Sequence, residues 1–113
     1  DMPAPHIILD DASHASKHQQ DAFLELFPKL RSGGLYIIED LRWQPKEYEA
    51  KTRGITKTAH LLQSYIQERE FKHSDPATAE EFNALRPMIS GCFVLQAHFN
   101  KHRRDQVAVI HKI

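Results

Sequence analysis

The chain has 113 residues, enough for one small domain with a single core. Fifteen basic residues balance fifteen acidic ones, so bulk electrostatics give no reason to expect nucleic acid or an anionic membrane as partner. The lone cysteine, Cys92, excludes an internal disulfide, no apolar run is long enough to cross a bilayer, and without a secretory signal a cytoplasmic location is expected.

The chain opens with Asp1-Met2-Pro3-Ala4-Pro5 and enters an apolar run almost at once, which reads as a piece of a longer protein. His6 to Asp10 is a strand whose consecutive Ile7, Ile8 and Leu9 suit burial on both faces, as in a parallel sheet. Asp11 to Ala15 is the loop at its carboxyl end. A helix starts near Ser16, with Gln19 three residues on completing a capping box. Ala22, Phe23, Leu26, Phe27 and Leu30 form its apolar stripe, and Pro28 kinks it or ends its regular part. Gly33-Gly34 is a stop signal, and Leu35 to Ile38 is a second continuous apolar strand. Strand, helix and strand with short joints make a right-handed βαβ unit, so both strands end on the same edge of a sheet.

Leu41 to Gly54 reads as a long loop containing Trp43 and Tyr48. A second helix is predicted from about Thr56 to Glu70, with Ala59, Leu62 and Ile66 inward and Leu61 and Tyr65 flanking. Asp75-Pro76 reads as a turn, and Thr78-Ala79-Glu80-Glu81 as the capping box of a short helix ending by Pro87. Phe93 to Phe99 and Val107 to Ile110 are predicted to pair as an antiparallel hairpin about a polar turn, Lys101 to Asp105. The order β-α-β-α-(short α)-β-β fits a three-layer α/β sheet with a terminal antiparallel hairpin. With so few helices, one face or edge of that sheet is expected to stay bare, to be covered by the rest of a longer protein or by a second copy.

The βαβ unit brings Asp10, Asp11, Glu39 and Asp40 to neighbouring strand ends, about 4.8 Å apart if the strands pair. Two readings fit these acids. They cap turns and face solvent, or they hold a hard cation such as Mg²⁺, which relieves the repulsion among them. His14, in the loop after Asp11, is either a hydrogen-bonded loop residue or a base beside such a cation. His14 and His18 stand four apart, but Ser16 starts a helix between them and no third nitrogen or sulfur ligand clusters with them, which disfavours zinc. Trp43 and Tyr48 line an acceptor pocket or anchor their loop by packing. No glycine-rich nucleotide loop, nucleophile elbow or Walker motif occurs. Acids at strand ends also suit a receiver-like phospho-acceptor, but no later strand offers the lysine that chemistry needs.

Ile8-Leu9-Asp10-Asp11-Ala12-Ser13-His14, then His18-Gln19, Phe23, Leu26-Phe27-Pro28, Leu30 and Gly33-Gly34-Leu35-Tyr36-Ile37-Ile38-Glu39-Asp40-Leu41, resembles the class I S-adenosylmethionine-dependent methyltransferases. Within them the likeness is to the metal-dependent sugar O-methyltransferases of macrolide biosynthesis, the macrocin and mycinamicin type. That pattern is an Asp-Asp-Gly-Ser-His loop, a Leu-Phe-Pro helix and a Gly-Gly-x-Tyr-x-Ile-Glu-Asp strand. It is matched specifically over residues 7–41; from residue 42 only the order of elements agrees.

The resemblance implies a Rossmann-like methyltransferase fold of which residues 1–113 are the carboxyl-terminal half, the amino-terminal half that holds most of the methyl donor being absent. It implies Asp11, Glu39 and Asp40 as Mg²⁺ ligands and His14 as the base that deprotonates an acceptor hydroxyl. Asp10 is a candidate for contact with S-adenosylmethionine; the donor-binding residues are otherwise unassigned. Ala12 stands where the family usually has glycine, and Arg42-Trp43-Gln44-Pro45 departs from the macrolide enzymes, so acceptor identity does not carry over. The implied function is Mg²⁺-dependent O-methylation of a sugar or other small molecule by the full-length protein, the fragment alone being inactive. The alternative is a degenerate methyltransferase-like scaffold. A homo-oligomer through the uncovered sheet edge is a further expectation.

Overall fold

Two apolar tetrads form the first parallel pair: β1 (Ile7–Asp10) and β2 (Leu35–Ile38), in the register Ile7 to Leu35 through Asp10 to Ile38. The computed structural model describes residues 4–10, 15–39, 41, 54–100 and 103–113. The crossover between the strands is α1 (Ser16–Leu26), closed by a single tighter turn, Phe27–Lys29. Pro28 ends the regular helix as expected, since it has no N–H to donate to the preceding turn. Gly33 then turns the chain at φ +82°, and its N–H donates to the Lys112 carbonyl. At Gly34 the need for glycine is space. A Cβ there would lie 2.7 Å from the His6 carbonyl oxygen and 2.8 Å from Leu30 Cγ.

The remaining elements are α2 (Thr58–Glu68), α3 (Pro76–Ala84), a short turn at Arg86–Met88, and the strands β3 (Ile89–Asn100) and β4 (Arg103–Lys112). The sheet order is β1-β2-β4-β3: β1 and β2 are parallel, and β4 runs antiparallel to both its neighbours.

Several sequence expectations need correction in detail. The N-cap of α1 is Ala15 and no side chain caps it. Ser16 is fully buried, and its hydroxyl instead accepts from the Thr58 N–H across to α2, at 3.4 Å. Helix α2 is two residues shorter at each end and stops where Arg69 takes a left-handed conformation. Its buried face is Leu61, Leu62 and Tyr65, not one centred on Ala59 and Ile66, because Tyr65 stacks on Phe71 at 4.7 Å. Helix α3 begins at the predicted turn: Asp75 is its N-cap, accepting from the Thr78 N–H and hydroxyl, and Pro76 starts the helix. Proline's fixed φ and missing N–H suit that position. The hairpin runs on through polar residues, pairing Ala97 with Asp105 and His98 with Arg104, so Arg103 to Asp105 belong to β4. Ladder hydrogen bonds need only backbone groups, which is why side-chain polarity misplaced the turn.

The three described helices pack on one face of the sheet. The core joins Phe23, Phe27 and Leu30 to Leu61, Leu62 and Tyr65, to Phe82 and Leu85, and to Tyr36, Ile38, Ala108 and Ile110 of the sheet. Phe23 is its hub, stacked on Phe27 at 4.7 Å and Phe82 at 5.6 Å and edge-on to Tyr36 at 5.0 Å. On the hairpin the core side is Cys92 and Val94. The opposite face is apolar and open: Ile7 and Leu9 are 59% and 55% exposed, Phe93 and Leu95 59% and 60%. The bare face expected from the sequence is therefore present, and the described residues supply a helical layer on one side only. Among the described residues no helix is long and apolar enough to cross a membrane.

Candidate active site

Parallel pairing places the carboxyl ends of β1 and β2 together. One residue past the last rung, the Glu39 N–H donates to the Asp10 carbonyl oxygen at 3.1 Å, so these two acidic residues are direct backbone neighbours. Both are half-buried. Strand alternation puts Asp10 on the helix side with Tyr36, and the charge is felt there. The Tyr36 phenol is held well above its ordinary range, first by burial and second by the Asp10 carboxylate. The Tyr36 hydroxyl is buried and has no hydrogen-bond partner among the described residues.

Five expected site residues, Asp11, His14, Asp40, Trp43 and Tyr48, lie outside the described residues. What the structure does describe is the frame on either side of them. Asp10 ends β1 and Ala15 precedes α1, its carbonyl accepting from the Gln19 N–H. Leu41 is buried, and its N–H donates to the Gln106 carbonyl of β4 at 3.1 Å.

Sequence reasoning missed a polar network that fixes the same edge. The starts of α1 and α2 are joined by the two Ser16–Thr58 hydrogen bonds, hydroxyl to backbone in each direction. One turn on, Gln20, only 2% exposed, donates to the Thr56 carbonyl at 2.7 Å. Its Oε1 accepts from His73 Nε2 at 2.8 Å, while His73 Nδ1 accepts from the Asp75 N–H at 2.9 Å. Those two bonds define one neutral tautomer. Burial pushes the His73 imidazole below its ordinary value, a shift that Asp75 opposes and Lys17 assists. The available signal was Ser16 and Gln20, polar residues at helical spacing in line with the Phe23 and Phe27 stripe.

A cavity of about 410 Å³ also opens at this edge, lined by Leu41, Lys57, Ala59, His60, Gln63, Val94 and Gln106. The sequence named none of these as a site residue; Ala59 reads there as core-facing and Leu41 as the end of the second strand motif. Cys92 faces the core, where burial pushes its thiol up to about 12 and keeps it protonated near neutrality.

No family model matches the chain. Curated proteins and solved structures do. The chain is 60% identical over 112 residues to 8-demethyl-8-(2-methoxy-alpha-L-rhamnosyl)-tetracenomycin-C 3'-O-methyltransferase of Streptomyces olivaceus, which covers 94% of this chain and 26% of that protein. It is 38% identical over 80 residues to mycinamicin VI 2''-O-methyltransferase of Micromonospora griseorubida, covering 62% of this chain and 19% of that one. Among solved structures it resembles the MycE methyltransferase of mycinamycin biosynthesis in complex with Mg and SAH, at 31% identity and a TM-score of 0.55, over 95% of this chain and 26% of that chain. The architecture is thus part of the Rossmann-like α/β methyltransferase fold. The chain spans about a quarter of the length of the protein it matches over nearly all of its own residues.

Proposed function

We propose, from the premise that this chain is homologous to about a quarter of a sugar O-methyltransferase of the macrocin and mycinamicin type, that it carries the catalytic edge of an S-adenosylmethionine- and Mg²⁺-dependent enzyme. The full-length protein would methylate a sugar hydroxyl on a small molecule. The observation that supports this most is the backbone contact between Glu39 and Asp10, which makes one edge of the two acid-terminated strands.

That edge fits a hard cation. Its donors would be carboxylate oxygens from adjacent strand ends, and like charges gathered there would need a counter-charge. Asp11, Glu39 and Asp40 would hold Mg²⁺, which when bound lowers the pKa of an acceptor hydroxyl. His14 would accept that proton on a ring nitrogen. S-adenosylmethionine would supply the sulfonium-bound methyl group, and proton removal by His14 would leave the acceptor oxygen able to take that methyl, with S-adenosylhomocysteine as the leaving group. Trp43 and Tyr48 would present aromatic faces to the acceptor. Asp10 would face the donor, whose other contacts belong to the part of the full-length protein outside this chain.

The relative at 60% identity is named for 3'-O-methylation of a rhamnosyl tetracenomycin, which makes a rhamnosyl group on an aromatic polyketide the first acceptor to try. The open face and edge of β1 would be covered by the rest of the full-length protein or by a second copy. Asp11→Asn and His14→Ala in the full-length protein should each lower methyl transfer at least ~100-fold. Near-normal turnover in both would overturn the mechanism. An inactive wild-type protein supplied with donor, Mg²⁺ and acceptor would favour a scaffold.

A further inference from the structure

The cavity beside the strand ends has a composition that speaks for its occupant. Leu41, two residues past Glu39 in the sequence, is held at this edge by the bond from its N–H to the Gln106 carbonyl. Val94 and Gln106 come from β3 and β4, where Val94 pairs with Ala108 and Gln96 with Gln106, which sets them at the same edge. Lys57, Ala59, His60 and Gln63 come from the first turns of α2, whose start is pinned by Thr58 and Thr56 to Ser16 and Gln20. The cavity therefore has fixed walls on both sides.

Leu41, Ala59 and Val94 offer an apolar surface. His60, Gln63 and Gln106 surround it with neutral groups able both to donate and to accept hydrogen bonds. Among the described lining residues Lys57 is the one formally charged side chain, and alone it is no anion cradle. An apolar floor rimmed by amides and an imidazole matches a sugar ring, which presents C–H faces and peripheral hydroxyls. The volume of about 410 Å³ lies within the range of small-molecule sites.

We infer that this cavity seats the neutral, hydroxyl-bearing sugar ring of the acceptor, and that His60, Gln63 and Gln106 are specificity-determining residues. The inference rests on the function proposed above, and adds a subsite on α2 and the hairpin to it.

The test uses the full-length protein with a rhamnosyl tetracenomycin as acceptor probe. His60→Ala, Gln63→Ala and Gln106→Ala should each raise the acceptor KM about tenfold, with kcat and the KM for S-adenosylmethionine changed less than about twofold. Glu80→Ala, exposed on α3, should change none of these. Calorimetric binding of the same acceptor should weaken in parallel, and this reads the subsite whether or not methyl transfer occurs. Unchanged acceptor KM and binding in His60→Ala and Gln63→Ala would overturn the inference while leaving the function standing. A loss confined to donor KM would overturn it too. If the wild-type protein transfers no methyl group but binds the acceptor through these residues, the function falls and the subsite stands.

Discussion

The Glu39 N–H donates to the Asp10 carbonyl oxygen over 3.1 Å, one residue beyond the Asp10–Ile38 rung of the parallel pair. This contact fixes which acids can act together: sliding one strand by one residue would reverse which of its side chains face the helices. Asp10 and Glu39 are held at one edge by this backbone contact.

That register depends on Gly34. The added methyl of Gly34→Ala would meet the His6 and Arg31 carbonyl oxygens at 2.7 and 2.9 Å, both backbone atoms that cannot swing aside. The variant should lose about 3 kcal/mol of stability, the upper end for overpacking. Gly33→Ala meets nothing within 4 Å but sits at φ +82°, and should lose only about 1 kcal/mol. Urea denaturation of the two variants checks the order; equal losses would contradict it.

Tyr36→Phe should stabilise the chain by about 1 kcal/mol. The Tyr36 hydroxyl is buried with no partner among the described residues, so removing it relieves a desolvation cost while the ring keeps its edge-on contact with Phe23. A clear drop in the denaturation midpoint would show that the hydroxyl has a role in the fold.

Stability should fall as the solution is acidified through the ordinary histidine range. His73 is held below its usual value near 6.5 by burial, so the folded chain binds fewer protons than the unfolded chain in that region. The contribution is therefore complete above about pH 6.5 and is lost progressively below it. Protonation of Nδ1 would also break the bond from the Asp75 N–H. Denaturation midpoints at about pH 8 and pH 5.5 should differ more in the wild-type chain than in His73→Ala. Equal differences in the two would remove His73 from the account.

The isolated 113-residue chain should bind S-adenosylmethionine too weakly to give a saturable heat in titration calorimetry. This follows from the proposal that most donor contacts lie elsewhere in the full-length protein, four times longer in the relative at 60% identity. Tight, stoichiometric binding by the chain alone would refute it.

The strands and the first helix were legible because each is written in consecutive residues. Ile7 to Asp10 and Leu35 to Ile38 are unbroken apolar runs, Pro28 stops α1, and two glycines precede β2. The βαβ connection put both strand ends on one edge of the sheet and left their pairing conditional; the fold pairs them, and the Glu39 N–H donates to the Asp10 carbonyl. These features depend on local backbone chemistry and chain connectivity, which a sequence determines by itself. The rest was decided by packing between distant segments. Ser16 left its capping role to bond Thr58, forty-two residues away, and Tyr65 turned α2 toward Phe71. Gln20 found His73, and Leu41, His60, Gln63 and Gln106 came together around one cavity. No periodicity carries such partners, because each depends on where another element comes to rest. The acidic strand ends were thus set by the sequence, while the cavity beside them exists only in the folded chain.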